Sequence, residues 1–187
     1  MGGTVFKVDD MVVHPAYGLC RIHRIERKRF DGSSEDCYVL MIGHGGRQVE
    51  VTIPFRQAEA VGIRPPVTSE EALRLIGILQ GKDLASGQML LTTWEDVEQG
   101  LRSGDPFEAA RILRQMAVAE MDDWEELIEE PLLDNRRSKK GWVAAAVHRL
   151  ASELAFAQQV STGVMKENFQ QWLEGGRPRQ GKSRSSR

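Results

Sequence analysis

Up to about Pro66 the apolar positions of the chain recur with period two. In Gln48-Val49-Glu50-Val51-Thr52-Ile53, the residues Val49, Val51 and Ile53 fall on one face of an extended strand. Similar runs lie near Met11 to His14, Leu19 to Arg29 and Cys37 to Ile42. Turn chemistry separates them at Pro15-Ala16-Tyr17-Gly18, Asp31-Gly32-Ser33-Ser34 and Gly43-His44-Gly45-Gly46. Short strands joined by tight turns predict a small, strongly bent barrel of the SH3 or Tudor kind, marginal in stability if left alone.

Pro65-Pro66 interrupts that pattern, and the period becomes helical. Thr68-Ser69-Glu70-Glu71 reads as a capping box, and the stripe of Leu75, Ile76 and Leu79 stops at Gly81. Thr92 with Glu95 is expected to open a second helix that carries Trp94, Val97 and Leu101 and closes at Ser103-Gly104. Asp105-Pro106-Phe107-Glu108 opens a third, with an aspartate cap and proline in the first helical position; its stripe is Ala110, Leu113, Met116 and Ala117. A short segment around Trp124, Leu127 and Ile128 ends at Pro131. The longest helix is predicted from about Ser138 to Gln159, where Val143, Val147, Leu150, Leu154 and Ala157 make one packing face. A last helix, Ser161 to Glu174, turns Met165, Phe169 and Trp172 inward. The reading is an α+β multidomain chain: a Tudor-like or SH3-like β-barrel over 1–66, an all-α domain over 67–175, and a basic tail over 176–187 too polar to order itself.

Charge changes this picture more than composition does. Residues 1–66 hold 9 Lys and Arg against 8 Asp and Glu, residues 67–175 hold 11 against 19, and the tail holds 5 and none. The helical block, at −8, should repel a polyanion at long range, and the tail should attract one. The first thirty residues carry Asp9, Asp10 and several Arg and Lys where a signal peptide needs an apolar run, and no window approaches the ~20 apolar residues of a membrane span. A cytoplasmic protein with reduced Cys20 and Cys37, and no membrane partner, is expected.

Cys20, His23, Cys37 and His44 are zinc-compatible by type, but positions 20 and 23 point to opposite faces of a regular strand, so no metal or other cofactor is expected. Nucleophile-elbow, Walker, zincin and dinucleotide motifs are absent, and the paired acids Glu125-Glu126 and Glu129-Glu130 fit a solvated helix face; an enzyme is not expected. Arg21, Arg24, Arg27, Lys28 and Arg29 concentrate positive charge on one strand, interrupted by Glu26. That pattern fits either protection of a sheet edge or an edge that accepts a strand-shaped or acidic partner. Trp94 fits either a helical core or an indole free to stack on bases. Arg136, Arg137, Lys139 and Lys140, together with the tail, are the remaining phosphate-binding candidates.

The segments Phe6-Lys7-Val8-Asp9-Asp10-Met11-Val12-Val13-His14-Pro15-Ala16-Tyr17-Gly18, Tyr38-Val39-Leu40, Ile53-Pro54 and Val61-Gly62-Ile63-Arg64 occur in an order that resembles the CarD/CdnL family of bacterial transcription regulators. Thr92-Thr93-Trp94 and Gly104-Asp105-Pro106-Phe107-Glu108-Ala109-Ala110-Arg111-Ile112-Leu113-Arg114 continue the resemblance, which spans roughly residues 5–160. It implies a Tudor-like domain that docks on the RNA polymerase β subunit, with Lys28, Arg29, Phe30 and Thr52 at the contact; some members carry Arg at the position of Thr52. It further implies a helical domain that meets promoter DNA at the upstream edge of the transcription bubble. There Trp94 is the wedge, and Arg136, Arg137, Lys139 and Lys140 are candidate phosphate contacts. Where the family has a basic run after the tryptophan, this chain has Glu95-Asp96-Val97-Glu98. Duplex DNA should therefore be bound weakly without polymerase, and a polymerase-bound adaptor whose acidic helices engage another regulatory protein is the alternative reading.

Overall fold

The computed structural model describes residues 6–30, 32–43, 48–82, 93–118 and 139–174. Four strands form an antiparallel meander, β1 (Met11–His14), β2 (Gly18–Phe30), β3 (Ser33–Ile42) and β4 (Val49–Pro54), in spatial order β1-β2-β3-β4. The sheet curls into a half-barrel around Phe6, Val12, Cys20, Ile22, Tyr38, Leu40, Ile42 and Ile53. Tyr38 ties this core together: its ring stacks on Phe55 at 4.1 Å, and its hydroxyl accepts a hydrogen bond from the Phe6 backbone N–H at 3.1 Å.

A bulge decides what β2 shows to solvent. Ile22 opposes Leu40, but the next pair is Arg24 with Val39, so one extra residue is inserted at His23. Because side chains alternate along a strand, the slip moves Arg24, Glu26 and Lys28 to the face opposite Ile22. Strand β3 also begins four residues earlier than the period-two pattern indicates. Phe30 faces Ser33 across Gly32, whose φ of 88° is glycine territory, and Arg27 pairs with Asp36 at 2.9 Å.

After a 3₁₀ turn (Phe55–Gln57) and the one-turn helix α1 (Ala58–Val61), the chain runs into the helical domain. Its helices are α2 (Ser69–Leu79), α3 (Trp94–Arg102), α4 (Pro106–Val118), α5 (Lys139–Gln158) and α6 (Thr162–Glu174). They enclose one core in which Leu75, Leu79, Leu101, Ile112, Leu113, Val143, Leu154 and Phe169 are fully buried. The capping box at Thr68 and Glu71 forms as predicted, and the Asp105 carboxylate accepts from the Phe107 N–H at 2.8 Å. The second helix starts one residue later than predicted. Thr93, not Thr92, is the cap, and its reciprocal partner is Asp96 instead of Glu95. The expected turn at His44 to Gly46, the segment around Trp124 and the basic tail lie outside the described residues.

The β module and the helices share a seam. Pro15 of the β1–β2 turn packs against Gly104, where an added Cβ would meet Pro15 Cβ at 2.9 Å, and Gly18 faces the Arg149 stem at 3.0 Å. Among the described residues no helix is long and apolar enough to cross a membrane.

Candidate functional site

The two edges of the sheet differ. The outer side of β1 is closed by Arg64, whose backbone exchanges hydrogen bonds with Val13 at 2.8 and 3.2 Å. Strand β4 pairs with β3 alone among the described residues, leaving its other side open to an added strand. Beside that open edge lies a shallow pocket lined by Lys28, Phe30, Glu35, Thr52, Pro54, Arg56 and Gln57. The bulge places Lys28 there, and the Lys28 Nζ donates to Thr52 Oγ1 at 3.0 Å. Three residues singled out in the sequence, Lys28, Phe30 and Thr52, are thus brought together. Arg29 is not; with the opposite strand parity it is exposed and absent from the pocket lining.

Single-residue reading missed the ladder that surrounds Lys28. Arg24 grips Glu50 of β4 with two hydrogen bonds of 2.6 and 2.8 Å and reaches Glu26 at 3.1 Å, and Glu26 forms an ion pair with Lys28 at 2.8 Å. Arg56 pairs with Glu35 at 2.8 Å across the pocket. The signal was present as alternating charge at 24, 26 and 28, but the partner at Glu50 needed the register. The Lys28 ammonium, followed by the Arg24 guanidinium, holds the Glu26 carboxyl below its ordinary value; Arg24 does the same for Glu50. Beneath the ladder Val39 and Cys37 are fully buried, so the long cationic stems shield an apolar floor.

Helix α3 carries the aromatic candidate. The Thr93 hydroxyl accepts from the Asp96 N–H at 3.2 Å, and the Asp96 carboxylate accepts from the Thr93 N–H at 3.0 Å. The acid that looked hostile to DNA is therefore a cap satisfying the start of the helix. Glu98 pairs with Arg102 one turn on, at 3.3 Å, whereas Glu95 is exposed. Trp94 is partly buried and packs against the helical core. The far end of α3 is held firmly: Arg149 donates to the Leu101 carbonyl at 2.8 Å, and the Arg102 guanidinium lies over the Trp142 ring at 4.7 Å.

Of the basic cluster, the structure describes only the backbone of its last two lysines. Arg136 and Arg137 lie outside the described residues. Lys139 and Lys140 open α5, with only their backbone described. Of the zinc-compatible residues, Cys20 stands opposite Val12 and Cys37 opposite Glu26, and His44 lies outside the described residues. No group of three metal-ligating side chains occurs among the described residues. Burial pushes the Cys20 thiol up to about 11, which leaves it an inert core residue at neutral pH.

An open strand edge, a lined pocket beside it and a self-paired charge ladder lie together on this side of the β module. Residues 6–67 match the family model of the CarD-like/TRCF RID domain, which covers this whole β module. The match covers about a third of the chain and is consistent with a CarD-like family member and with an RNA polymerase-interacting, transcription-related protein.

Proposed function

We propose that this chain is a transcription regulator that docks on the RNA polymerase β subunit through the β4 edge and the Lys28–Phe30–Thr52 pocket. Docked there, it alters the stability of the promoter open complex through its helical domain. The observation that carries the reading is an unpaired edge beside that pocket, within a module of an RNA polymerase-interacting family. Function is then a matter of differential affinity and no bond is made or broken. An indole that stacks at the junction of paired and unpaired promoter favours the melted state, because a closed duplex would first have to be unstacked. The partial exposure of Trp94 is compatible with that task, since a fully buried ring could not reach a base. Contact with DNA at the upstream edge of the bubble is weak in isolation, and tethering on polymerase supplies the effective concentration it needs.

Exposed Glu95 beside Trp94 favours a second reading, a polymerase-bound adaptor whose acidic helices engage another regulatory protein without touching DNA. Trp94→Ala separates the two. Loss of open-complex stabilisation with polymerase capture intact supports the wedge, and an unchanged open complex supports the adaptor. If the full chain captures neither polymerase nor its isolated β subunit, both readings fall.

A further inference from the structure

The family match ends at Val67, where a connector between independent domains would start, yet here the chain is bolted down. Arg64 has two jobs at once. Its backbone closes β1 by pairing with Val13, and its side chain leaves the β module and enters the helical domain. There the guanidinium meets the Glu153 carboxylate of α5 in a two-pronged pair of 2.5 and 2.9 Å and also donates to the Gly104 carbonyl, just beyond α3, at 3.3 Å. The same Glu153 accepts from the Val67 backbone N–H at 2.9 Å, and Glu153 is 2% exposed. A buried carboxylate satisfied by two donors that lie 89 and 86 positions away in sequence is a geometric lock, because neither domain can turn without leaving that carboxylate unpaired in a dry place. Pro15 against Gly104 and Gly18 against Arg149 close the seam on either side, leaving only a small crevice. The segment that Arg64 and Arg149 touch, Leu101 to Gly104, is the end of the helix that carries Trp94.

We propose that Arg64 and Glu153 are positioning residues that make the β module and the helical domain one rigid body, so that docking at the β4 edge dictates where the Trp94 indole is held. The inference rests on the docking reading for its consequence, though not for the rigidity itself. A flexible linker would spread the indole over a large volume, whereas a locked joint concentrates it at one place.

The test has two arms. Spin labels at Lys7→Cys and Glu167→Cys, both exposed, report the distance between domains in the free full-length chain; native Cys20 and Cys37 are buried and stay unlabelled. Open-complex lifetime and polymerase capture are measured on unlabelled protein. Native chain should give one narrow distance distribution. Glu153→Gln should broaden it and shorten the open-complex lifetime severalfold, toward that of Trp94→Ala, with polymerase capture unchanged. Arg64→Lys, which keeps the charge and loses the second prong, is the gentler variant should Glu153→Gln fail to fold, and it should show the same split. Narrow distributions in the variants, or broadening without any loss of lifetime, overturn the proposal. Native chain that captures no polymerase defeats the docking reading, and the distance arm still decides whether the joint is a lock.

Discussion

Trp94 stands at the first turn of α3, partly buried against the helical core, and its packing and its exposure have separate consequences. Trp94→Ala removes a surface that could stack on bases and a contact that supports the helical core. The expected result is a loss of ~1 kcal/mol of stability, below the ~3–5 kcal/mol typical of a fully buried Trp. Open-complex lifetime should also fall about tenfold, equivalent to ~1.4 kcal/mol; calorimetry and lifetime measurements check the two separately. In the charge ladder the relevant residues are Glu26 and Glu50. Both carboxyls titrate below their ordinary value because Lys28 and Arg24 bind the charged forms. A depressed carboxyl stabilises the fold above the unfolded value, and that contribution is lost as pH falls through the folded value. The ladder should therefore be intact at pH 7 and should fail below the usual carboxylate range. Denaturant midpoints of native protein should drop on acidification, and a Glu26→Gln, Glu50→Gln double variant should show a shallower dependence. Each of these residues was visible in the sequence, but the pairing of Arg24 with Glu50 was not, since the two are 26 positions apart and only the register of three strands brings them together.

At the scale of elements, caps and turns were legible because their chemistry is local. Thr68 with Glu71 and Asp105 before Pro106 satisfy nearby backbone donors wherever they occur, and both form. The start of α3 shows the limit of that reading. Thr92 and Thr93 offer equivalent hydroxyls, and Glu95 and Asp96 equivalent acids, so local chemistry allows either register and the helix takes the later one. Thr93→Ala should cost ~1 kcal/mol while Thr92→Ala costs little, which thermal unfolding of the two variants would resolve. Gly100 makes the complementary case. Alanine is normally worth up to ~1 kcal/mol over glycine inside a helix, but a Cβ at this position would collide with Cδ1 of the buried Ile112. Overpacking costs ~1–3 kcal/mol, so Gly100→Ala should be net destabilising despite its propensity. In the sheet, Ile22 and Ile25 both have core-side strand partners, Leu40 and Tyr38, although three positions separate them. Period two cannot achieve that without the bulge at His23, and the spacing alone did not announce which residue would be inserted.

The whole molecule is governed by how the two domains meet. Arg64 and Glu153 form a part-buried pair, the carboxylate enclosed and the guanidinium still reached by solvent, so removing Glu153 should cost less than the ~3–5 kcal/mol typical of a fully buried pair. Glu153→Ala should therefore lower the stability of both domains together, and native chain should unfold in one calorimetric transition that the variant splits or broadens. The switch in hydrophobic period at Pro65-Pro66 and the existence and order of β1 to β4 and α2 to α6 were determined by the sequence itself, whereas Phe30 and Thr52 became candidates through the family resemblance. The strands and helices depend on interactions within a few residues: alternation along a strand, a stripe along a helix, a hydroxyl three positions from an amide. Tertiary structure alone decided that β4 has an open edge while Arg64 closes β1, that the bulge sends the charges of β2 to the face opposite Ile22, and that Glu153 of α5 receives Arg64 from 89 positions away. Those outcomes turn on which distant groups share a dry space, and a buried charge selects its partner by geometry in three dimensions, which no local pattern along the chain encodes.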